Sequence, residues 1–126
     1  MPMVIIKTAA AGGGQTLPMQ QEQAKKYLGN ILGSNAGTRL TNLSQALNQA
    51  FGGQGKACGN LAYNGIAPLH ASAGKQGVSS VTLFYYELAG TLYCFAMGEH
   101  ASSSSYKISD FGPNNGSFKS GTTVIL

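Results

Sequence analysis

The chain has 126 residues, a length that suits one domain with one hydrophobic core. Hydrophobic residues make up 43% of it, which excludes a disordered chain, and charged residues make up only 10%, against about 25% in an average soluble protein. The formal net charge is +4, so the chain suits an anionic partner and has a surface built chiefly from uncharged polar residues. No apolar stretch reaches the roughly 18 residues needed to span a bilayer, and the first residues lack the basic segment of a signal peptide.

The whole chain is predicted to form a single domain, over residues 1–126, with an irregular start. Residues 4–7 (Val-Ile-Ile-Lys) predict a short strand. Residues 9–14 (Ala-Ala-Ala-Gly-Gly-Gly) are a low-complexity stretch, either a mobile loop or the remnant of a linker to an upstream delivery region. We therefore expect residues 1–18 to be a strand plus a linker-like segment, followed by the main folded unit over residues 19–126.

Two amphipathic helices follow. Apolar residues recur at helical spacing over residues 19–32, where Gly33 predicts the end of the helix. A second apolar stripe runs over residues 38–51, and the glycine pair at 52–53 ends it. Two such helices joined by a short link predict a helical hairpin, and each helix must bury its apolar stripe against something else.

The second half of the chain predicts a sheet. Residues 52–77 are rich in Gly, Asn and Ser and indicate a long loop of the kind that often carries function. Residues 78–88 and 91–97, with a turn at 89–90, have the composition of strands. Both faces of these two strands carry apolar side chains, which predicts central strands that are covered by helices on one face and by loops or a ligand on the other.

A polar loop over 101–105, a short strand over 106–108, a turn over 111–116 and a last strand over 122–126 complete the prediction. Helices followed by an antiparallel meander define an α+β fold. We expect two N-terminal helices packed on an antiparallel sheet of about four to five strands.

Two histidines are candidates for proton transfer, because an imidazole titrates near neutral pH. His100 follows a hydrophobic strand and opens a Ser-rich loop, a position at which rigid scaffolds present active groups; the alternative is a surface histidine at a strand end. His70 lies in the Gly-rich segment, where the alternative is a solvated loop residue. Glu99 precedes His100, but adjacent strand residues point to opposite faces, so the two form no dyad unless a bulge intervenes.

Cations and tyrosines near the strands are candidates for substrate binding. Lys75 and Lys107 are each suited to hold a phosphate or to stabilise a pentacoordinate transition state; the alternative is ordinary solvation. Arg39, the only arginine, sits near a helix start where a cation is unfavourable, which indicates either an anion contact or a pair with an acidic side chain. Tyr85 belongs to a group of strand tyrosines, of which an exposed member is able to stack on a base while the others are core.

Several other chemistries find little support. The chain holds no Gly-rich phosphate loop and no nucleophile elbow, so we predict no cofactor. The spacing of its two cysteines and two histidines fits no zinc finger, so we predict no metal. Cys58 and Cys94 either form a disulfide or stay free, and Cys94, in the middle of a strand, is expected to be buried and inert.

The segment 81–100 (Val-Thr-Leu-Phe-Tyr-Tyr-Glu-Leu-Ala-Gly-Thr-Leu-Tyr-Cys-Phe-Ala-Met-Gly-Glu-His) resembles the sheet of the RelE/ParE-like toxins, in which two long strands joined by a tight turn lead into a polar, catalytic edge. The order of elements over residues 19–110 is similar to that of the wider barnase–EndoU–colicin–RelE group of small bacterial ribonuclease toxins, many of which are C-terminal toxin domains. The chain departs from RelE-like toxins, which are dense in Lys and Arg, in holding a single arginine.

The resemblance implies metal-independent RNA cleavage, in which the ribose 2′-OH attacks the adjacent phosphate. It implies that His100 acts as acid or base, that His70 is a second proton-transfer group, and that Tyr106 is an auxiliary acid or a stacking group. Lys107 and Arg39 would stabilise the phosphate.

The expected partners of such a toxin are RNA, with tRNA favoured, and a cognate immunity or antitoxin protein. The expected route is secretion or delivery by a producing bacterium into the cytoplasm of a target cell. Two alternatives remain open: a non-catalytic α+β protein-binding module, and a Cys/His or Ser/His hydrolase effector.

Overall fold

A computed structural model of the chain describes residues 3–7, 15–33, 37–57, 61–62, 65–74, 80–102, 105–111, 117–119 and 124–125. The fold class is α+β, as predicted. The elements in chain order are β1 Met3–Ile6, α1 Gln21–Leu32, α2 Thr38–Phe51, β2 Lys56–Ala57, β3 Leu61–Ala62, β4 Leu69–Ala73, β5 Val81–Leu88, β6 Thr91–Ser102, β7 Ser105–Phe111, β8 Ser117–Lys119 and β9 Val124–Ile125.

The two helices lie close to where the apolar stripes place them. The backbone N–H of Gln20 donates to Oε1 of Gln23 at 2.9 Å, which satisfies one donor at the start of α1. Gly33, with a φ of 94°, ends that helix, and its N–H bonds back to the carbonyl of Gly29. Helix α2 has the predicted bounds, because its apolar stripe stops at Phe51 before the glycine pair.

The sheet differs from the prediction in order and in size. Its neighbouring strands follow the order β2-β4-β5-β6-β7-β8 in antiparallel pairs, and β1 adds a parallel pair with β6, so the sheet is mixed. The helices therefore follow a first strand rather than begin the fold. The described residues form nine strands instead of four to five, because β2, β3, β4 and β8 form where the sequence predicted no strand. Of these, β3 pairs with β9 in a separate two-stranded sheet.

The predicted long loop over 52–77 was wrong where the short strands β2 and β3 and the longer strand β4 lie. The composition of β4, Leu-His-Ala-Ser-Ala, carries little strand signal. Its strand conformation comes from long-range pairing with β5, from Leu69 opposite Tyr85 to Ala73 opposite Val81. Strands β6 and β7 also extend into the predicted polar loop, as far as Ser102 and back from Ser105. The predicted turn over 111–116 falls, after Phe111, outside the described residues.

The sheet is covered on both faces, as predicted for central strands. The helix-side cluster, which packs between the helices and the sheet, includes Leu28, Leu43, Leu47, Leu83 and Met97. The far-side cluster, on the opposite face, consists of Phe84, Tyr86, Phe95, Ala96 and Ile108, with Ile66 and Tyr93 packed against it. Each such fully buried large side chain contributes about 1.5–3 kcal/mol to folding.

On the side that does not pair with β5, strand β6 has two partners. Residues Thr91 to Cys94 pair with β1, while Met97 to Ser102 pair with β7. The register shifts between Met97 and Gly98, which marks a bulge, and a Cβ at Gly98 would lie 1.8 Å from the carbonyl oxygen of Lys107. Only glycine fits this close approach, and the bulge sets the positions of the residues that follow it.

Candidate functional site: the end of the β6–β7 hairpin

Four chemically active residues occupy two neighbouring cross-strand pairs near the end of the β6–β7 hairpin, beyond the bulge. Position 99 pairs with position 107, and position 100 pairs with position 106. We call Glu99, His100, Tyr106 and Lys107 the hairpin cluster. Register partners share one face of a sheet and successive positions alternate, so positions 100 and 106 share one face and positions 99 and 107 share the other. The register therefore brings the predicted residues His100 and Tyr106 together.

Lys107 has a carboxylate as its cross-strand neighbour. Its side chain is exposed, and Glu99 opposite it is half-buried. An opposite charge directly across an antiparallel pair offsets part of the field of the lysine. Lys107 is thus accessible, but it lies on the face opposite positions 100 and 106, and a phosphate bound there would compete with Glu99 for it.

His70 does not join this cluster. It pairs with Phe84 on β5, and Phe84 pairs with Ala96, four residues before His100 on β6. Four residues along a strand and two strand spacings across the sheet separate positions 70 and 100 by about 16 Å. A general acid and a general base for one phosphate must both lie within hydrogen-bond reach of its oxygens, so this pairing was wrong. His70 is 8% exposed, a buried strand residue rather than a loop residue.

Arg39 holds α2 against the sheet. Its Nε donates to the carbonyl of Ser80 at 3.4 Å, and its Nη2 donates to the carbonyl of Gly98 at 3.5 Å. The cation at this helix start therefore binds the backbone at the bulge that precedes His100. This contact gives Arg39 a positioning role, and its contact with a substrate phosphate stays a prediction.

Tyr85 was a wrong prediction for substrate binding. It is 2% exposed and belongs to the helix-side cluster. Its hydroxyl lies over Gly55, where an added Cβ would be 1.8 Å from it. Among the sheet tyrosines with described side chains, Tyr93 is the partly exposed one, and it lies on the opposite face. The alternation of side chains along β5 could have indicated that Tyr85 faces the helices. The same alternation cannot be followed onto β6, because the β5–β6 register shifts between Phe84 and Tyr85.

Cys94 is a free thiol, one of the two alternatives left open, and it is buried, as predicted for a residue in the middle of a strand. Burial raises its pKa to about 12, while a backbone hydrogen bond with Ala96 opposes part of that shift. A thiol that stays protonated is a poor nucleophile, so Cys94 does not support the Cys/His hydrolase alternative. Cys58 and Lys75 lie outside the described residues.

A further cavity lies elsewhere, between the outer faces of the helices. It is an open groove of about 1010 Å³. Lys25 and Lys26 of α1 line one side together with Glu22, and Thr41 and Ser44 of α2 line the other. Its position separates it from the hairpin cluster, so it serves no chemistry there.

Comparisons with protein-family models, curated proteins and solved structures give no match to this chain. Within the described ranges, no group of three or more His, Cys, Asp or Glu side chains is placed to hold a metal ion. No helix in that part of the chain is long and apolar enough to cross a membrane.

Proposed function

We propose that this chain is a metal-independent endoribonuclease toxin that cleaves RNA, with tRNA the favoured substrate. The observation that supports the proposal is the register of the β6–β7 hairpin, which places His100 opposite Tyr106 and Glu99 opposite Lys107. Positions 100 and 106 thus share one face of the hairpin, and Glu99 and Lys107 share the other. Transesterification of RNA needs a base and an acid, which the first pair of residue types supplies, and Lys107 adds positive charge from the opposite face.

The proposed reaction is attack by a ribose 2′-OH on the adjacent phosphorus. The bond from the 2′-oxygen to phosphorus forms and the bond from phosphorus to the 5′-oxygen breaks, which leaves a 2′,3′-cyclic phosphate and a 5′-hydroxyl. His100 takes the 2′-OH proton or gives one to the leaving oxygen, and Tyr106, on the same face, serves as the auxiliary acid. Lys107 lies on the opposite face, where its charge adds to the positive potential at the hairpin end without contacting the reacting phosphate.

The toxin assignment brings two further proposals with it. The chain is delivered by a producing bacterium into the cytoplasm of a target cell, and a cognate immunity or antitoxin protein neutralises it. Both follow from the resemblance of residues 81–100 to RelE/ParE-like toxins. On this proposal, such a partner would inhibit by covering the end of the β6–β7 hairpin.

The test is incubation of the purified protein with total tRNA and rRNA in EDTA, followed by a denaturing gel. We expect discrete fragments from the wild type, a loss of at least 100-fold in His100→Ala because general acid–base catalysis contributes that much, and a smaller loss in Lys107→Ala. Lys26→Ala is the matched control, since it removes the same charge from an exposed site on α1. Full activity in His100→Ala would refute the site, and intact RNA with the wild type would refute the function.

One observation favours the second candidate, a non-catalytic protein-binding module. The groove between α1 and α2 is an open concave surface of about 1010 Å³ that shares no lining residue with the hairpin cluster. Tight binding of a protein there, without RNA turnover, would support this candidate over the nuclease.

A further inference from the structure

A lysine and two tyrosines form a compact group on the far side of the sheet, away from the hairpin cluster. The rings of Tyr86 and Tyr93 are stacked, with centroids 5.1 Å apart and planes within 6° of parallel. Nζ of Lys7 donates to the hydroxyl of Tyr86 at 3.3 Å and lies 5.9 Å from the centre of its ring. We call Lys7, Tyr86 and Tyr93 the tyrosine stack.

Tyr93, the outer ring of the stack, keeps accessible surface, while Tyr86, the inner ring, is fixed by its neighbours. Tyr86 is 7% exposed and also packs at 6.2 Å against the ring of Phe95. Tyr93 and Lys7 are only half-buried. The inner ring thus holds the outer one in a defined orientation, and little side-chain entropy remains to be lost when a ligand binds the outer ring.

The tyrosine stack carries the positive charge of Lys7 on the far side of the sheet. Position 5 of β1 pairs with position 93, so Lys7, two residues further, lies on the same face as Tyr93. The acidic residue next to Tyr86 is Glu87, and strand alternation places it on the opposite face, where it is exposed.

A fixed, partly exposed aromatic ring suits the base of a nucleotide, and the ammonium beside it suits the phosphate. Bases stack on tyrosine rings whatever their sequence, and a lysine ammonium holds a phosphate as a point charge with three rotatable donors. We propose that the tyrosine stack is a second RNA-binding site, where an unpaired base stacks on Tyr93 and the neighbouring phosphate binds Lys7.

This inference rests on the proposed function and specifies its substrate. Tyr93 precedes His100 by seven residues on β6, about 20 Å along the strand. A single-stranded RNA that reaches both sites spans several nucleotides, so the second site would favour long or looped substrates over dinucleotides. It would supply affinity away from the cleaved bond, in a chain whose few cations give weak non-specific binding.

The test uses the His100→Ala chain, which leaves RNA intact, and a fluorescein-labelled single-stranded RNA of about 12 nucleotides, within the usual site size of such proteins. We expect Tyr93→Leu to weaken binding about tenfold, as the loss of one stacked base does, and Tyr93→Phe to restore it. Lys7→Gln should weaken binding and reduce the slope of log K against log salt by about 1, whereas Lys26→Gln should change neither.

A second measurement reports on the ring itself. The chain contains no tryptophan, so Tyr93→Trp introduces a single fluorophore at the site. Stacking of a base should quench its emission on saturation with the same RNA, and circular dichroism should show an unchanged fold. Unquenched emission, or Tyr93→Leu and Lys7→Gln variants that bind like Lys26→Gln, would overturn the inference.

The two proposals fail separately. If the wild type cleaves RNA while Tyr93→Leu leaves affinity for the 12-nucleotide RNA unchanged, the second site is refuted and the nuclease stands. If the stack binds RNA and the wild type cleaves none, the second site stands and the nuclease is refuted.

Discussion

The two halves of β6 have the same backbone conformation and opposite chemistry. The first half, up to Met97, pairs with β5 on one side and β1 on the other, and Cys94, Phe95 and Ala96 are all buried. The second half begins at the Gly98 bulge, pairs with β7 and carries Glu99 and His100. The comparison shows how one strand can fix a reactive group: its apolar half anchors the sheet, and its polar half extends from that anchor to the edge.

The largest expected effect is in the apolar half. Phe95→Ala should lower the free energy of unfolding by about 3–5 kcal/mol, because Phe95 is 1% exposed and the change leaves a cavity in the far-side cluster. Leu88→Ala is the control, since Leu88 is 51% exposed just before the same strand, and it should cost less than about 1 kcal/mol. Urea denaturation measures both values. Equal costs would mean that the far side of the sheet is not a core.

The next effect lies at the junction of the two halves. Gly98→Ala places a Cβ 1.8 Å from the carbonyl oxygen of Lys107 and 2.8 Å from Cα of Ile108, both of them backbone atoms that cannot turn aside. We expect a loss of about 1–3 kcal/mol from the resulting overpacking, together with loss of RNA cleavage as the β6–β7 register shifts.

Gly29→Ala is the glycine control for this variant. Its Cβ would meet only the side chain of Leu40, at 3.2 Å, and the helix propensity of alanine offsets that contact. A Gly98→Ala chain with wild-type stability and activity would contradict the close approach at the bulge.

The smallest effect under ordinary conditions concerns Cys94. Its folded pKa of about 12 exceeds the value of 9.0 for a free thiol, so burial favours the protonated form. The corresponding stability is fully present below pH 9 and is lost as the pH rises towards 12. In a Cys58→Ser chain, Cys94 should therefore resist iodoacetamide at pH 8 in the native state and react once urea unfolds the protein. Rapid alkylation of the native chain would show that this half of β6 opens to solvent.

Sequence patterns predicted the elements whose signal is local. Helix α2 and the Ala89-Gly90 turn follow from an apolar stripe and from turn residues; both turn residues have positive φ, as a two-residue hairpin requires. Strand β4 could not be predicted, because its small residues become a strand only through pairing with β5. β1 was predicted as a strand, but not its parallel place beside β6.

The candidate site was predictable by residue type and not by geometry. A histidine at the end of a hydrophobic strand pointed to His100. Which residues surround it depends on the bulges near Met97 and His100, which shift the register by amounts that no local pattern encodes. The β6–β7 register places Tyr106 opposite His100, whereas His70 lies two strands away on β4 and Tyr85 belongs to the helix-side cluster.

The central claim is that the polar half of β6 acts on RNA while the apolar half only supports it. The most direct test compares His100→Ala with Cys94→Ala, by the tRNA gel in EDTA and by thermal denaturation. We predict that His100→Ala abolishes cleavage and keeps the wild-type Tm, whereas Cys94→Ala keeps cleavage and lowers Tm by a few degrees, as a cost of about 1 kcal/mol does in a chain of this size. Undiminished cleavage by a folded His100→Ala chain would contradict the account.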